Sequence, residues 1–229
     1  MININGLKKS YLVGTKPFEV LRGIDLEVKS GDMIAIMGRS GSGKSTLLNI
    51  IAGLDKCENG TYLYNDQNVS NMNHSELANF RKKNIGFILQ NYALIDSKNV
   101  FQNVALPLYY SKKSKKEIQE KVEHTLLLLG IEELMYKSIE MLSGGEMQRV
   151  AIARALIQDA ELILADEPTG SLDEQTEKEI LSIFKDLNKQ GKTIIIVTHD
   201  QQVADICHKT YLIKEGRCLA VTMGRTSGT

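Results

Sequence analysis

The chain has 229 residues, enough for one large domain or for a core carrying an inserted lobe. Hydrophobic residues make up 42% and charged residues 24%, an ordinary globular composition that argues against disorder. Lys plus Arg and Asp plus Glu both total 28, which argues against a nucleic-acid binder working through a broad basic field.

The N-terminus, Met1-Ile2-Asn3-Ile4-Asn5-Gly6, has no basic region followed by an apolar stretch, so no signal peptide is expected. Apolar, β-branched runs predict strands over Val20 to Val28 and Met33 to Met37. The second run leads into Gly38-Arg39-Ser40-Gly41-Ser42-Gly43-Lys44-Ser45, which matches G-x-x-x-x-G-K-[ST], and the helical Thr46-Leu47-Leu48-Asn49-Ile50-Ile51 follows. In that strand–loop–helix setting the glycines let backbone N–H groups converge on phosphate oxygens at a helix N-terminus. Lys44 can reach the β- and γ-phosphates, and the Ser45 hydroxyl suits Mg²⁺.

A third strand is expected over Ile85 to Leu89, with Gln90 just beyond it. From about Asn91 to about Asp159 the chain reads as helix after helix, with no strand, and this predicts a helical lobe inserted into an α/β core. Ser114-Lys115-Lys116-Glu117 is a capping box opening a helix that closes at Gly130, so the basic run Lys112, Lys113, Lys115 and Lys116 reads as a solvated helix start. Ser143-x-x-Glu146 is a second capping box. It explains the serine and the glutamate, but Gly144-Gly145 is a poor helix start for which the sequence suggests no local purpose; close backbone approach to an anion would supply one.

Leu162 to Ala165 reads as a buried strand ending in Asp166-Glu167, two carboxylates at the strand edge where ligands of open α/β sheets sit. Asp166 suits a Mg²⁺ shell and Glu167 a general base. Ile180, Phe184 and Leu187 stripe a helix ending near Gly191, and the strand Thr193 to Val197 precedes His199. His74, His124 and His208 have no such setting and read as surface or packing residues. Cys57, Cys207 and Cys218 are odd in number and scattered, which fits free thiols in a reducing cytoplasm. No segment reaches the roughly eighteen unbroken apolar residues of a membrane span. The Gly224 to Thr229 tail is small and polar. Strands alternating with helices predict a mostly parallel sheet covered on both faces.

Leu142-Ser143-Gly144-Gly145-Glu146-Met147-Gln148 resembles the L-S-G-G-Q-Q signature of the ABC ATPase family, and it falls between the P-loop and the acidic strand, as in that family. The resemblance covers essentially the whole chain. It implies an α/β fold: a P-loop NTPase (RecA-like) core with N-terminal antiparallel β elements and an inserted α-helical subdomain. Residues 1–229 would form one ATP-binding domain, with 1–90 and 160–229 as catalytic core and about 91–159 as helical subdomain. ATP and Mg²⁺ are the implied cofactors.

In the resemblance, Tyr11 and Gly38, Arg39, Ser40, Gly41, Ser42, Gly43, Lys44, Ser45 and Thr46 bind ATP, with Tyr11 as the aromatic that stacks on adenine. Phe18, also upstream of the P-loop, is the alternative aromatic. Glu167, His199, Gln90 and Lys44 are the implied catalytic residues, and Ser45, Gln90 and Asp166 the implied Mg²⁺ ligands. Ser143, Gly144, Gly145, Glu146 and Gln148 would act on the nucleotide of the other protomer, and Ser171, Leu172 and Asp173 look like a D-loop crossing the dimer interface. The implied partners are a second copy on ATP binding and a membrane permease, with no nucleic acid, at the inner face of the cell membrane. Arg39, Met147 and Asp159-Ala160 depart from the usual family pattern.

Ala165-Asp166-Glu167-Pro168-Thr169-Gly170-Ser171-Leu172-Asp173 and Asn103-Val104-Ala105-Leu106-Pro107-Leu108 look like the branch for lipoprotein release and macrolide or antimicrobial-peptide export, which has a non-transporting cell-division relative. A DNA-repair or chromosome ATPase would need a long coiled coil between P-loop and signature. An iron–sulfur assembly ATPase stays open, whereas a kinase or GTPase leaves the signature, Gln90 and His199 unexplained.

Overall fold

The computed structural model describes residues 1–221, and the Gly224 to Thr229 tail lies outside them. In chain order the elements are β1 (Ile2–Val13), β2 (Lys16–Val28), β3 (Met33–Met37), α1 (Lys44–Ile51), β4 (Asn59–Tyr64), β5 (Gln67–Asn68), α2 (His74–Asn84) and β6 (Ile85–Ile88). They continue with α3 (Val100–Ala105), α4 (Lys115–Leu128), α5 (Gly144–Leu156), β7 (Leu162–Asp166), α6 (Glu174–Lys189), β8 (Thr193–Thr198), α7 (Gln201–Asp205), β9 (Lys209–Lys214) and β10 (Arg217–Val221). The chain forms two compact units, Met1–Asn79 with the segment from Thr193 onward, and Phe80–Lys192.

The first unit holds an antiparallel sheet in the order β2-β1-β4-β5. Strand β2 begins at Lys16, ahead of the expected Val20, because Lys16 to Glu19 are exposed and carry no apolar alternation for the sequence to display. The same unit holds β3 between β8 and β9, all parallel, with β10 antiparallel on β9. Every residue of β8 and four of the five in β3 are buried, so these strands read as unbroken apolar runs. Glu215 and Gly216, both at positive φ, close the β9–β10 hairpin with the backbone hand such a tight turn needs. His208 is an exposed residue tied to the start of β3: its Nδ1 accepts from the Met33 N–H at 3.2 Å.

In the second unit β6 pairs parallel with β7, from Ile85 opposite Leu162 to Ile88 opposite Ala165. Between them lie α3, α4, α5 and short 3₁₀ turns, with one isolated bridge between Asn99 and Ser138. Helix α4 carries the expected capping box, with Glu117 Oε2 accepting from the Ser114 N–H at 2.7 Å, and the chain reverses at Gly130 with φ +63°. A Cβ at Gly86 would meet the Ala155 carbonyl oxygen at 2.6 Å, so only glycine lets α5 lie this close on β6. Helix α6 buries Ile180, Leu181, Phe184 and Leu187. Among the described residues no helix is long and apolar enough to cross a membrane.

Candidate nucleotide site

The P-loop leaves the C-terminal end of β3. Met37 lies opposite Thr198 on β8, which brings Gly38 and His199 to one edge of the sheet. A cavity of about 440 Å³ opens there, lined by Gly38, Arg39, His199 and Thr210 among others. Gly43 sits at φ +102°, and a Cβ on it would meet Leu21 Cδ2 at 2.8 Å, so conformation and space both demand glycine. Lys44 is only 9% exposed, and its Nζ donates to the carbonyls of Gly38 (2.8 Å) and Arg39 (3.3 Å). A largely buried ammonium held by two loop carbonyls needs anionic oxygens to complete its shell. Two residues earlier, Ser42 Oγ is buried with no hydrogen-bond partner among the described residues. These groups, with the loop N–H donors at the start of α1, fit a polyphosphate. Ser45 and Arg39 are exposed and Thr46 half-buried.

Tyr11 is 41% exposed on β1. Its hydroxyl donates to Asp55 Oδ2 at 2.6 Å, while Lys9 Nζ donates to Asp55 Oδ1 at 2.7 Å and lies 5.0 Å from the Tyr11 ring centroid. Burial and the Asp55 bond both push the Tyr11 hydroxyl pKa up. Burial alone would raise the Asp55 carboxyl, but the bonds from Lys9 and Tyr11 outweigh it and hold the group below its usual value. Phe18 is the residue directly opposite Tyr11 across the hairpin, so the two candidate aromatics are cross-strand neighbours. Lys9 and Asp55 carry no motif that would have marked them, and 46 positions separate them.

In the second unit the parallel β6–β7 register carries Gln90 and the Asp166-Glu167 pair to a common C-terminal edge. A Cβ at Gly170 would lie 3.6 Å from Gln90 Nε2 and 3.7 Å from the Glu167 carbonyl oxygen, so these three positions are close together. Glu167 turns the chain with φ +46°, a left-handed backbone uncommon for a non-glycine residue.

Helix α5 begins at Gly144 with Ser143 as N-cap, and Glu146 Oε2 accepts from the Ser143 N–H at 2.7 Å. The bonds from the Ser143 backbone and side chain hold the Glu146 carboxyl below its usual value. The expectation that the double glycine has no local purpose is corrected here. A Cβ at Gly145 would lie 2.5 Å from Cγ2 of Thr176. Thr176 cannot swing away freely, because Asp173 accepts from its N–H at 3.0 Å and from its hydroxyl at 2.6 Å. Gly144 is looser, its Cβ position lying 3.2 Å from the Tyr92 hydroxyl and 3.6 Å from Leu172 Cδ2. The second unit thus brings the signature turn against Leu172 and the D-loop cap. Gln148 is fully buried, with neither amide atom partnered among the described residues, so it faces the interior and not a partner.

Two further residues in this unit escaped the sequence reading. The Tyr92 hydroxyl lies 3.0 Å from Ser171 Oγ, and Arg154 on α5 donates to the carbonyls of Tyr92 (2.7 Å) and Ala93 (2.5 Å). Tyr92 and Ala93 both have positive φ, so Arg154 clamps a strained turn two residues past Gln90.

The family model for ABC transporters matches residues 21–170. The chain is 43% identical, over 99% of both proteins, to the uncharacterised ABC transporter ATP-binding protein YknY of Bacillus subtilis (strain 168). It is 40% identical to the macrolide export ATP-binding/permease protein MacB of Pasteurella multocida (strain Pm70), over 96% of this chain and 34% of that protein. Among solved structures, the dimeric post-hydrolysis state of the ATP-binding cassette MJ0796 bound to ADP and Pi superposes with a TM-score of 0.89 at 35% identity, covering 97% of this chain and 100% of that one. A second dimeric structure of MJ0796, described as a bacterial ABC transporter cassette, also has a TM-score of 0.89, at 36% identity over the same shares of the two chains.

Proposed function

The chain belongs to the ABC transporter family as an ATP-binding, ATP-hydrolysing cassette, and from that premise we propose that it dimerises around two ATP to drive a separate membrane permease, exporting or conferring resistance to peptides, antibiotics or lipoproteins. The observation that carries the nucleotide reading is Lys44, largely buried and folded onto the Gly38 and Arg39 carbonyls near a buried Ser42 hydroxyl that has no partner among the described residues. The MacB name, which joins ATP binding to a permease in macrolide export, supports the transport half.

In this reading Gly38 to Thr46 hold the phosphates and Tyr11 stacks on adenine. Ser45, Gln90 and Asp166 would hold Mg²⁺, which would neutralise developing phosphate charge. Glu167 takes the proton of the attacking water as general base, and His199 contacts the γ-phosphate. Gly144 and Gly145 present their N–H groups to the partner's nucleotide and Ser143 acts there with them, while Glu146 caps the turn through the Ser143 N–H and Gln148 packs beneath it. Ser171, Leu172 and Asp173 lie along the dimer interface. Residues 1–90 and 160–229 serve as the catalytic core and about 91–159 as the helical subdomain. The cassette works peripherally at the cytoplasmic face of the cell membrane.

The test mixes two disabled variants, Lys44→Ala and Ser143→Arg, each in a Glu167→Gln background. Each homodimer has two broken sites. The heterodimer has one site with an intact P-loop and an intact signature, and one with both lesions. ATP-dependent dimer, read by size-exclusion chromatography, is expected to recover partly on mixing. Folded variants that stay monomeric together, while the Glu167→Gln parent dimerises, would overturn the shared-site reading.

A further inference from the structure

We propose that Asp55 and Lys9 are positioning residues for the nucleotide base: they hold the Tyr11 ring at one tilt, with one face covered and the other open. This rests on the reading of Tyr11 as the stacking residue. A tyrosine on an exposed hairpin has two free side-chain torsions, and stacking on a mobile ring requires ordering that ring. Here the ring is ordered in advance. Its hydroxyl is tied to Asp55 Oδ2 at 2.6 Å.

The tether is itself anchored. Lys9, largely buried, donates to Asp55 Oδ1 at 2.7 Å and to the Lys56 carbonyl at 2.9 Å, and the Lys56 N–H donates to Asp55 Oδ1 at 2.7 Å. The Asp55 N–H donates to the carbonyl of Asn49 on α1 at 3.3 Å. Asp55 is therefore tied to the C-terminal end of the helix whose first residue is Lys44. The ring's position is fixed relative to the phosphate loop through one short, hydrogen-bonded path.

Lys9 also settles which face is used. Its ammonium lies 5.0 Å from the ring centroid, a cation–π distance, and covers one side. The remaining exposure of Tyr11 leaves the other side for a base. Phe18, directly opposite on β2, has no hydroxyl to tether and is 55% exposed. The tether selects Tyr11 over Phe18.

The experiment compares Mg-ADP, which has a base, with Mg-tripolyphosphate, which has none, by calorimetry on the full chain. Asp55→Ala, Lys9→Met and Tyr11→Phe are each expected to weaken ADP about threefold to tenfold, the range set by mobilising one side chain, and to leave tripolyphosphate unchanged. The apparent KM for ATP rises with them, while the rate at saturating ATP moves less than about twofold, as for a uniform binding contact. Tyr11→Ala weakens ADP further, and adding Asp55→Ala to it has no added effect. Tyr11→Phe removes one hydroxyl only, so it carries the test if Asp55→Ala fails to fold. Equal loss of ADP and tripolyphosphate would overturn the proposal by placing the effect on the phosphate loop. If Tyr11→Ala weakens ADP while Asp55→Ala and Tyr11→Phe do not, the tether is idle and the stacking reading stands. If Tyr11→Ala leaves ADP binding unchanged, both are wrong.

Discussion

A Cβ placed on Gly145 would sit 2.5 Å from Cγ2 of Thr176, and Asp173 holds that threonine through both its N–H and its hydroxyl. The signature turn and the cap of α6 are therefore packed without room for a methyl group. Gly145→Ala is expected to destabilise the fold by about 1–3 kcal/mol, the usual cost of overpacking. Thr176→Ser removes the offending carbon and keeps the hydroxyl bond to Asp173, so the double variant should regain most of that stability in chemical denaturation. Recovery of stability without recovery of ATP-dependent dimerisation would assign Gly145 a role in trans beyond packing; failure of Thr176→Ser to restore stability would show that this contact is not what demands glycine.

Glu167→Gln is expected to retain nucleotide binding and to lower turnover about 10²–10⁴-fold, the usual loss with a general base. Lys44→Ala should weaken nucleotide binding itself. Phosphate-release assays beside calorimetry separate the two, and parental turnover in Glu167→Gln would remove Glu167 from the role.

Arg154 forks onto the carbonyls of Tyr92 and Ala93, both at positive φ. Arg154→Ala loses two hydrogen bonds from a charged donor, each of about 1.5–3 kcal/mol in the general case, and releases the turn after Gln90. Arg154→Lys should restore only part, because a single ammonium cannot reproduce a planar fork. Denaturation midpoints for the pair check this. A lysine variant as stable as the parent would show that charge alone suffices.

Acid should act through Asp32 before Asp159. Burial alone would raise the Asp32 carboxyl, but bonds from Lys209 and the Lys29 N–H hold it below its usual value; the Lys192 bond does the same for Asp159. A carboxylate with a lowered folded-state pKa contributes stability present above the unfolded value of about 4 and lost as pH falls through the folded one. The Asp32 side chain is 16% exposed and that of Asp159 79%, so solvent screens the second pair far more. Asp32→Asn should flatten the fall in stability below about pH 5, and Asp159→Asn should change it little. The reverse order in denaturation at stepped pH would contradict this.

Contiguous chemistry was legible in the sequence. Gly38 to Ser45 spells a phosphate loop because consecutive backbone groups make it, and β3, β7 and β8 stand out because strands buried on both faces are unbroken apolar runs. The Ser114 and Ser143 capping boxes could be read because their partners lie three residues away. The long hairpin of β1 and β2 was only partly visible, since its outer half is exposed on both faces and shows no alternation. What packing decided lay between residues distant in the chain. Lys9 meets Asp55 across 46 positions and Tyr92 meets Ser171 across 79. The local sequence around Gly145 does not contain Thr176, which sets its limit on size. Helix and strand periods are local properties of the chain, whereas the tilt of a ring or the room for a methyl depends on which side chains the completed fold brings together.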